Sequence, residues 1–171
     1  MSRIAGSSRD VALLGLRRQW VPILSTLAAS LLNLSPYVAT WPIVPDFAYI
    51  VLLAWRLLRP EMWQAHVALP LGFFNDLVAG LPVGQSMALW TLTFLILDIV
   101  DSRVGWRDYW MDWFFAAAAM LFYTAGGWYV AGEMGSALPF VVLLPQLILS
   151  IFAYPLVARF VVALDRWRLS R

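Results

Sequence analysis

The run GFFNDLVAGLPVG, from Gly72 to Gly84, decides how the chain is read. Gly72, Asp76 and Gly80 stand at i, i+4 and i+8, on one stripe of a helix. The two glycines remove side-chain bulk along that stripe, so another helix can approach closely. Between them lies a carboxyl group flanked by Phe73, Phe74, Leu77 and Val78. Pro82 lacks an N–H and is expected to stop the helix, and Gly84 permits a tight reversal into the next one. In a bilayer, an aspartate facing lipid costs about 2.5–3.5 kcal/mol on insertion scales. Asp76 is therefore expected to face protein or water.

Composition frames this stretch. Of 171 residues, 62% are hydrophobic and 13% charged. Soluble domains run at about 45–50% apolar and about 25% charged, so the chain lacks the polar surface a soluble fold requires. The absence of cysteine excludes a disulfide framework and thiolate metal sites. A net charge of +2 gives no basis for a nucleic-acid surface. Every basic residue is arginine, which we read as composition bias. The single histidine, His66, cannot form a histidine-rich metal site; lying early in a predicted span, it reads as a packing or interfacial residue.

Working outward, we expect an all-α, polytopic membrane protein with six transmembrane helices and both termini cytoplasmic. Each span is tested against the ~20 residues that cross a ~30 Å core. The spans are about Trp20–Tyr37, Ile43–Leu58, Met62–Leu81, Gln85–Val100, Tyr109–Val130 and Leu138–Val161. Residues 1–19 form a cytoplasmic tail, 20–161 the transmembrane domain and 162–171 a basic cytoplasmic tail. The second span is short and crowded at its start by Pro42, Pro45 and Asp46, and Arg56 is expected to snorkel from it to the surface. Arginine placement tests the count. Arg56, Arg59, Arg103, Arg107, Arg159, Arg166, Arg168 and Arg171 all fall on the side of the N-terminal tail, while the outer connections carry none. That is the pattern of the positive-inside rule. Trp20, Trp41, Trp63, Trp106, Trp110, Trp128 and Trp167 lie near span ends, where amphipathic rings sit at headgroup level; Trp55 and Trp90 lie deeper and read as packing.

With Leu57-Leu58-Arg59-Pro60 just before it, this region resembles the MreD family of bacterial rod-shape-determining membrane proteins. The shared pattern is a proline-ended helix with a basic tip, then a glycine-led helix with an aspartate before a Gly-x-Pro-x-Gly-like turn, here Gly80–Gly84. The likeness spans the chain in length and helix count and is concentrated between Arg56 and Gly84. Phe73 replaces the family's usual leucine, and Asn75 stands where an apolar residue is expected. The resemblance implies a non-enzymatic scaffold of the cell-elongation complex in the bacterial cytoplasmic membrane. It would organise peptidoglycan synthesis through lateral helix contacts. The implied partners are the bitopic protein MreC, the actin-like MreB filament, and the elongation peptidoglycan polymerase and transpeptidase, with membrane lipids around them and no cofactor.

Contact candidates are Gly72, Asp76, Gly80, Pro82 and Gly84, together with the small residues Ala116–Ala119 and Gly126–Gly127 of the fifth span. Arg56, Arg59, Pro60, Arg103 and Arg107 are candidates for a cytoplasmic edge. Asp76 has two readings. It is either a polar centre for a partner, substrate or proton path, or a hydrogen-bonded residue that fixes its own helix in the bundle. Asp98, Asp101, Asp108 and Asp112 form either a docking patch or solvated charges closing helix ends; the latter suits Asp108 and Asp112, in a first helical turn. Asn33, Gln85 and Gln146 are expected to hydrogen-bond between helices, and Pro145 and Pro155 to kink the sixth. No Walker loop, zinc spacing or nucleophile elbow is present, so no catalytic residue is expected. A different class stays open: a small-molecule carrier resembling the substrate-binding components of energy-coupling-factor transporters in gross six-helix layout. Its mark would be a polar, ligand-sized cavity, for which the sequence shows few convergent polar groups.

Overall fold

The computed structural model describes residues 8–34, 43–104, 108–136 and 138–169, with side chains from residue 20 onward. Among these, six α-helices and two short 3-10 segments occur and no strand. The helices are α1 (Ser8–Leu31), α2 (Phe47–Leu58), α3 (Ala65–Ala79), α4 (Gln85–Arg103), α5 (Tyr109–Glu133) and α6 (Leu144–Leu169). α1 already begins at Ser8 and α6 runs to Leu169, so the stretches on either side of the apolar body are largely helical continuations of it. Trp41, Pro42, Trp106, Arg107 and Arg171 lie outside the described residues.

α2 is the centre of the body. Asp46 starts it by accepting the Tyr49 N–H at 3.2 Å, the usual work of an N-cap side chain. Ala48 through Leu57 are all buried, because α1, α5 and α6 pack around them. A helix apolar on every side needs cover on every side. Its 12 residues span ~18 Å at 1.5 Å per residue, short of the ~30 Å of a bilayer core. The expected second span is thus shorter than a bilayer core and sheltered on every side by its neighbours. The helix also begins four residues later than expected, since Asp46 caps it.

The long helices sit outside. α5, with 25 residues, and the 30-residue run Phe140–Leu169 are long and apolar enough to cross a membrane. Only 17% and 22% of their most apolar windows are buried inside the protein, unlike the covered core helix of a soluble fold. Trp110, Phe114, Phe152 and Leu156 point outward at 68–73% exposure. Trp20, Trp128 and Trp167 are likewise exposed, as boundary rings should be, and Trp55 and Trp90 are buried. Trp63 departs from the expectation: it is buried against Phe94, with ring centroids 6.2 Å apart.

α3 and α4 form an antiparallel hairpin. α3 ends at Gly80, whose φ of +65° is the left-handed stop that glycine adopts without strain. The Leu81 N–H reaches back to the Asp76 carbonyl at 3.0 Å. The stop is therefore Gly80, and Pro82 lies two residues beyond it. Gly84, at φ +100°, opens α4.

Candidate functional site

The hairpin turn is built on Asp76, which is 1% exposed. One carboxylate oxygen accepts the Ser86 N–H at 2.7 Å. The other accepts the Gly84 N–H at 2.8 Å and the Met87 N–H at 3.4 Å. These are the donors that the first turn of α4 cannot satisfy within its own helix. Asp76 thus caps the next helix from the end of its own, and its backbone carbonyl stops α3. Of its two readings, the internal one has these contacts behind it.

The glycine stripe divides by role. A Cβ on Gly72 would fall 2.6 Å from Met87 Cα and 2.8 Å from the Ser86 carbonyl carbon, so the close approach along this stripe is made by α4 of the same chain. Gly80 and Gly84 have nothing within 4 Å of such a Cβ and are needed for their positive φ instead. The small face of α5 also meets α4, through Leu89 against Gly126 and Gln85 against Gly127.

A chain of polar side chains leads from this turn across the bundle. Asn33 Nδ2 donates to Asn75 Oδ1 at 3.4 Å, and Asn75 Nδ2 donates to Ser86 Oγ at 3.1 Å. Ser86 Oγ and Tyr123 Oη are 3.1 Å apart. Tyr123 also stacks on Tyr49, with ring centroids 4.3 Å apart. Tyr49 Oη lies 2.8 Å from Thr93 Oγ1 and donates to the Ala119 carbonyl at 3.1 Å. Gln146 Nε2 donates to the Val44 carbonyl at 2.9 Å. Asn33 and Gln146 therefore bridge elements as expected. Asn75, which departs from the family pattern, is fully buried in this chain of contacts.

Of these groups, Asn33, Tyr49, Tyr123 and Gln146 border a cavity of about 490 Å³ at the end of the bundle where α1, α3 and α5 finish and α2, α4 and α6 begin. Asp46, Tyr49, Tyr123, Gln85, Gln146 and Ser150 contribute its polar lining. The sequence reading misses it. Asp46 registers there as a helix-start disturbance, and Tyr49 and Tyr123 are lost among apolar neighbours. The available signal is the set of polar residues recurring at this end of consecutive spans: Asn33, Asp46, Asn75, Gln85 and Gln146.

The opposite end carries the arginines. Arg56 is 1% exposed, so it does not snorkel. Its Nη2 lies 2.5 Å from Asp98 and 2.9 Å from Asp101, and its guanidinium stands 5.7 Å from the Phe94 ring centroid. The half-exposed Asp98, the partly buried Asp101 and the ring face give the buried cation its partners. Asp98 and Asp101 are accordingly partners of a buried cation. Arg59 pairs with Asp165 at 2.7 Å, whose other oxygen meets Arg168 at 2.6 Å. The hydrogen bond and charge of Asp165 push the Arg59 guanidinium still higher than its ordinary range. Arg168 lies over Trp55 at 5.2 Å. Arg59, Pro60 and Arg103 are exposed at this end, and His66 is exposed early in α3. No group of three or more His, Cys, Asp or Glu side chains comes together among the described residues.

No protein-family model matches the chain, and no curated protein or solved structure matches it.

Proposed function

We propose that the chain is a non-enzymatic, multi-pass scaffold of the bacterial cytoplasmic membrane that organises peptidoglycan synthesis in the cell-elongation complex. Its partners in this reading are MreC, MreB and the elongation polymerase and transpeptidase. The family resemblance between Arg56 and Gly84 suggests the role. The observation that carries it is the outer surface. Leu92, Leu95, Ile96 and Ile99 form an exposed stripe on α4, and Phe152, Leu156 and Phe160 form another on α6. With such short connections between helices, contact has to be lateral. Because α4 already fills the Gly72–Asp76 stripe, partner contact belongs to these outer stripes.

Co-purification with MreC from native membranes tests this. Truncating Leu92, Leu95 and Ile99 to alanine, and in parallel Phe152, Leu156 and Phe160, should reduce MreC recovery for at least one set at unchanged membrane level. Full recovery with both sets would end the lateral-scaffold reading.

The cavity favours a second reading, in which the body captures a small molecule. Its volume falls within the ~300–1,000 Å³ of ligand pockets. Stabilisation of the purified protein by a member of a vitamin panel would favour this reading over the first.

A further inference from the structure

The residues around the cavity select a ligand by charge. Among the described residues no Arg, Lys or His lines the cavity, whereas Asp46 is part of it. The described arginine side chains gather at the other end of the helices, and the acidic residues Asp46, Asp76 and Glu133 share the cavity end. An anion entering here would be buried with no opposite charge, the most costly form of burial.

The hydrogen-bonding inventory points the same way. Gln146 Nε2 gives one of its N–H groups to the Val44 carbonyl, and the Ser150 hydroxyl donates to the Gln146 carbonyl. Acceptor capacity remains at Gln146 Oε1 and the Ser150 oxygen. The Asp46 side chain accepts the Tyr49 N–H at 3.2 Å. A carboxylate offers about four acceptor positions, so acceptor capacity remains. Tyr49, Tyr123 and Trp128 add aromatic surface, which attracts cations over its faces.

We propose that the cavity binds an organic cation: a primary ammonium carried on an apolar body, with the ammonium at Asp46 and the body against the aromatic rings. An ammonium presents three donors and no acceptor, for which Asp46, Gln146 Oε1 and the Ser150 oxygen in the lining are acceptors. The inference rests on the second reading above, that the cavity is a ligand site, and adds the class of ligand.

The test uses the full-length protein in zwitterionic lipid nanodiscs, with empty nanodiscs as the partitioning control. Phenylbutylamine, phenylbutanol and phenylbutyrate share a body and differ in charge. The amine should bind saturably, the alcohol about tenfold more weakly, and the carboxylate without saturation. Asp46→Asn keeps a good N-cap for α2, so the ligand-free protein should melt as before while amine affinity falls about tenfold. Phenylbutyrate binding as tightly as the amine, or an amine affinity unchanged in Asp46→Asn, would overturn the charge assignment and leave the ligand site standing. If none of the three compounds saturates, the cavity is not a ligand site and the second reading falls too.

Discussion

Replacing Asp76 by alanine removes the acceptor for the first turn of α4, and the cost can be worked from the contacts. The Ser86 N–H, at 2.7 Å, belongs to a fully buried residue; the Gly84 N–H, at 2.8 Å, is only part-buried; the Met87 N–H, at 3.4 Å, is marginal. A buried donor left unpaired costs ~1–3 kcal/mol. Counting Ser86 near the upper end and Gly84 near the lower gives ~2–4 kcal/mol for Asp76→Ala. At about 1.4 kcal/mol per factor of ten, that lowers the folded-to-unfolded ratio by roughly two powers of ten. Asp76→Asn keeps one acceptor oxygen and should cost ~1–2 kcal/mol. Reversible unfolding in mixed micelles measures both variants, and hydrogen exchange at the Ser86 amide reports the turn locally. A loss below ~1 kcal/mol for alanine, with Ser86 still protected, would mean that something other than this carboxylate satisfies the turn. Loss of MreC recovery in Asp76→Asn at near-normal stability would return Asp76 to the partner interface.

Three further outcomes are expected. Gly72→Ala should cost ~1–3 kcal/mol, because its Cβ meets the backbone of Met87 and Ser86. Gly126→Ala should cost less, because its Cβ meets only the movable Leu89 side chain; equal losses in the same unfolding assay would contradict this packing. Asp98→Asn with Asp101→Asn strands the Arg56 guanidinium at 1% exposure and should cost ~3–5 kcal/mol. Adding Arg56→Met should recover most of that loss, and a triple variant no more stable than the double would show that the charges are not the cause. Because the chain has no cysteine, Val83→Cys and Arg103→Cys are clean topology probes. An impermeant thiol reagent should label the first from outside intact cells and the second only after permeabilisation; the reverse pattern would invert the assignment.

Much of the architecture is legible in the residues themselves. Gly80 and Gly84 announce the α3–α4 reversal, since only their backbone freedom allows φ of +65° and +100° there. The start of α4 at Gln85 follows from the same punctuation, and α5 starts at Tyr109 as expected. Composition and apolar run length point to helices with lipid-like surroundings, and the long apolar α5 and α6 meet that description.

Pairing across the bundle is another matter. Arg56 reads as a snorkelling side chain because Asp98 and Asp101 are more than forty residues away in sequence. Likewise, Arg59 gives no local hint of Asp165. Trp63, near an expected span end, is buried because α4 brings Phe94 against it. Hydropathy cannot separate burial in lipid from burial in protein, so the burial of the short α2 on every side by its neighbours is not legible in its sequence. The cavity is the clearest case. Asp46, Tyr49, Tyr123 and Gln146 come from three different helices and their caps, and no periodicity within one helix can announce a space enclosed between several. Local backbone chemistry and transfer free energy act residue by residue and are written in the chain. The partner of a buried charge and the shape of a void depend on how helices distant in sequence come to rest against one another.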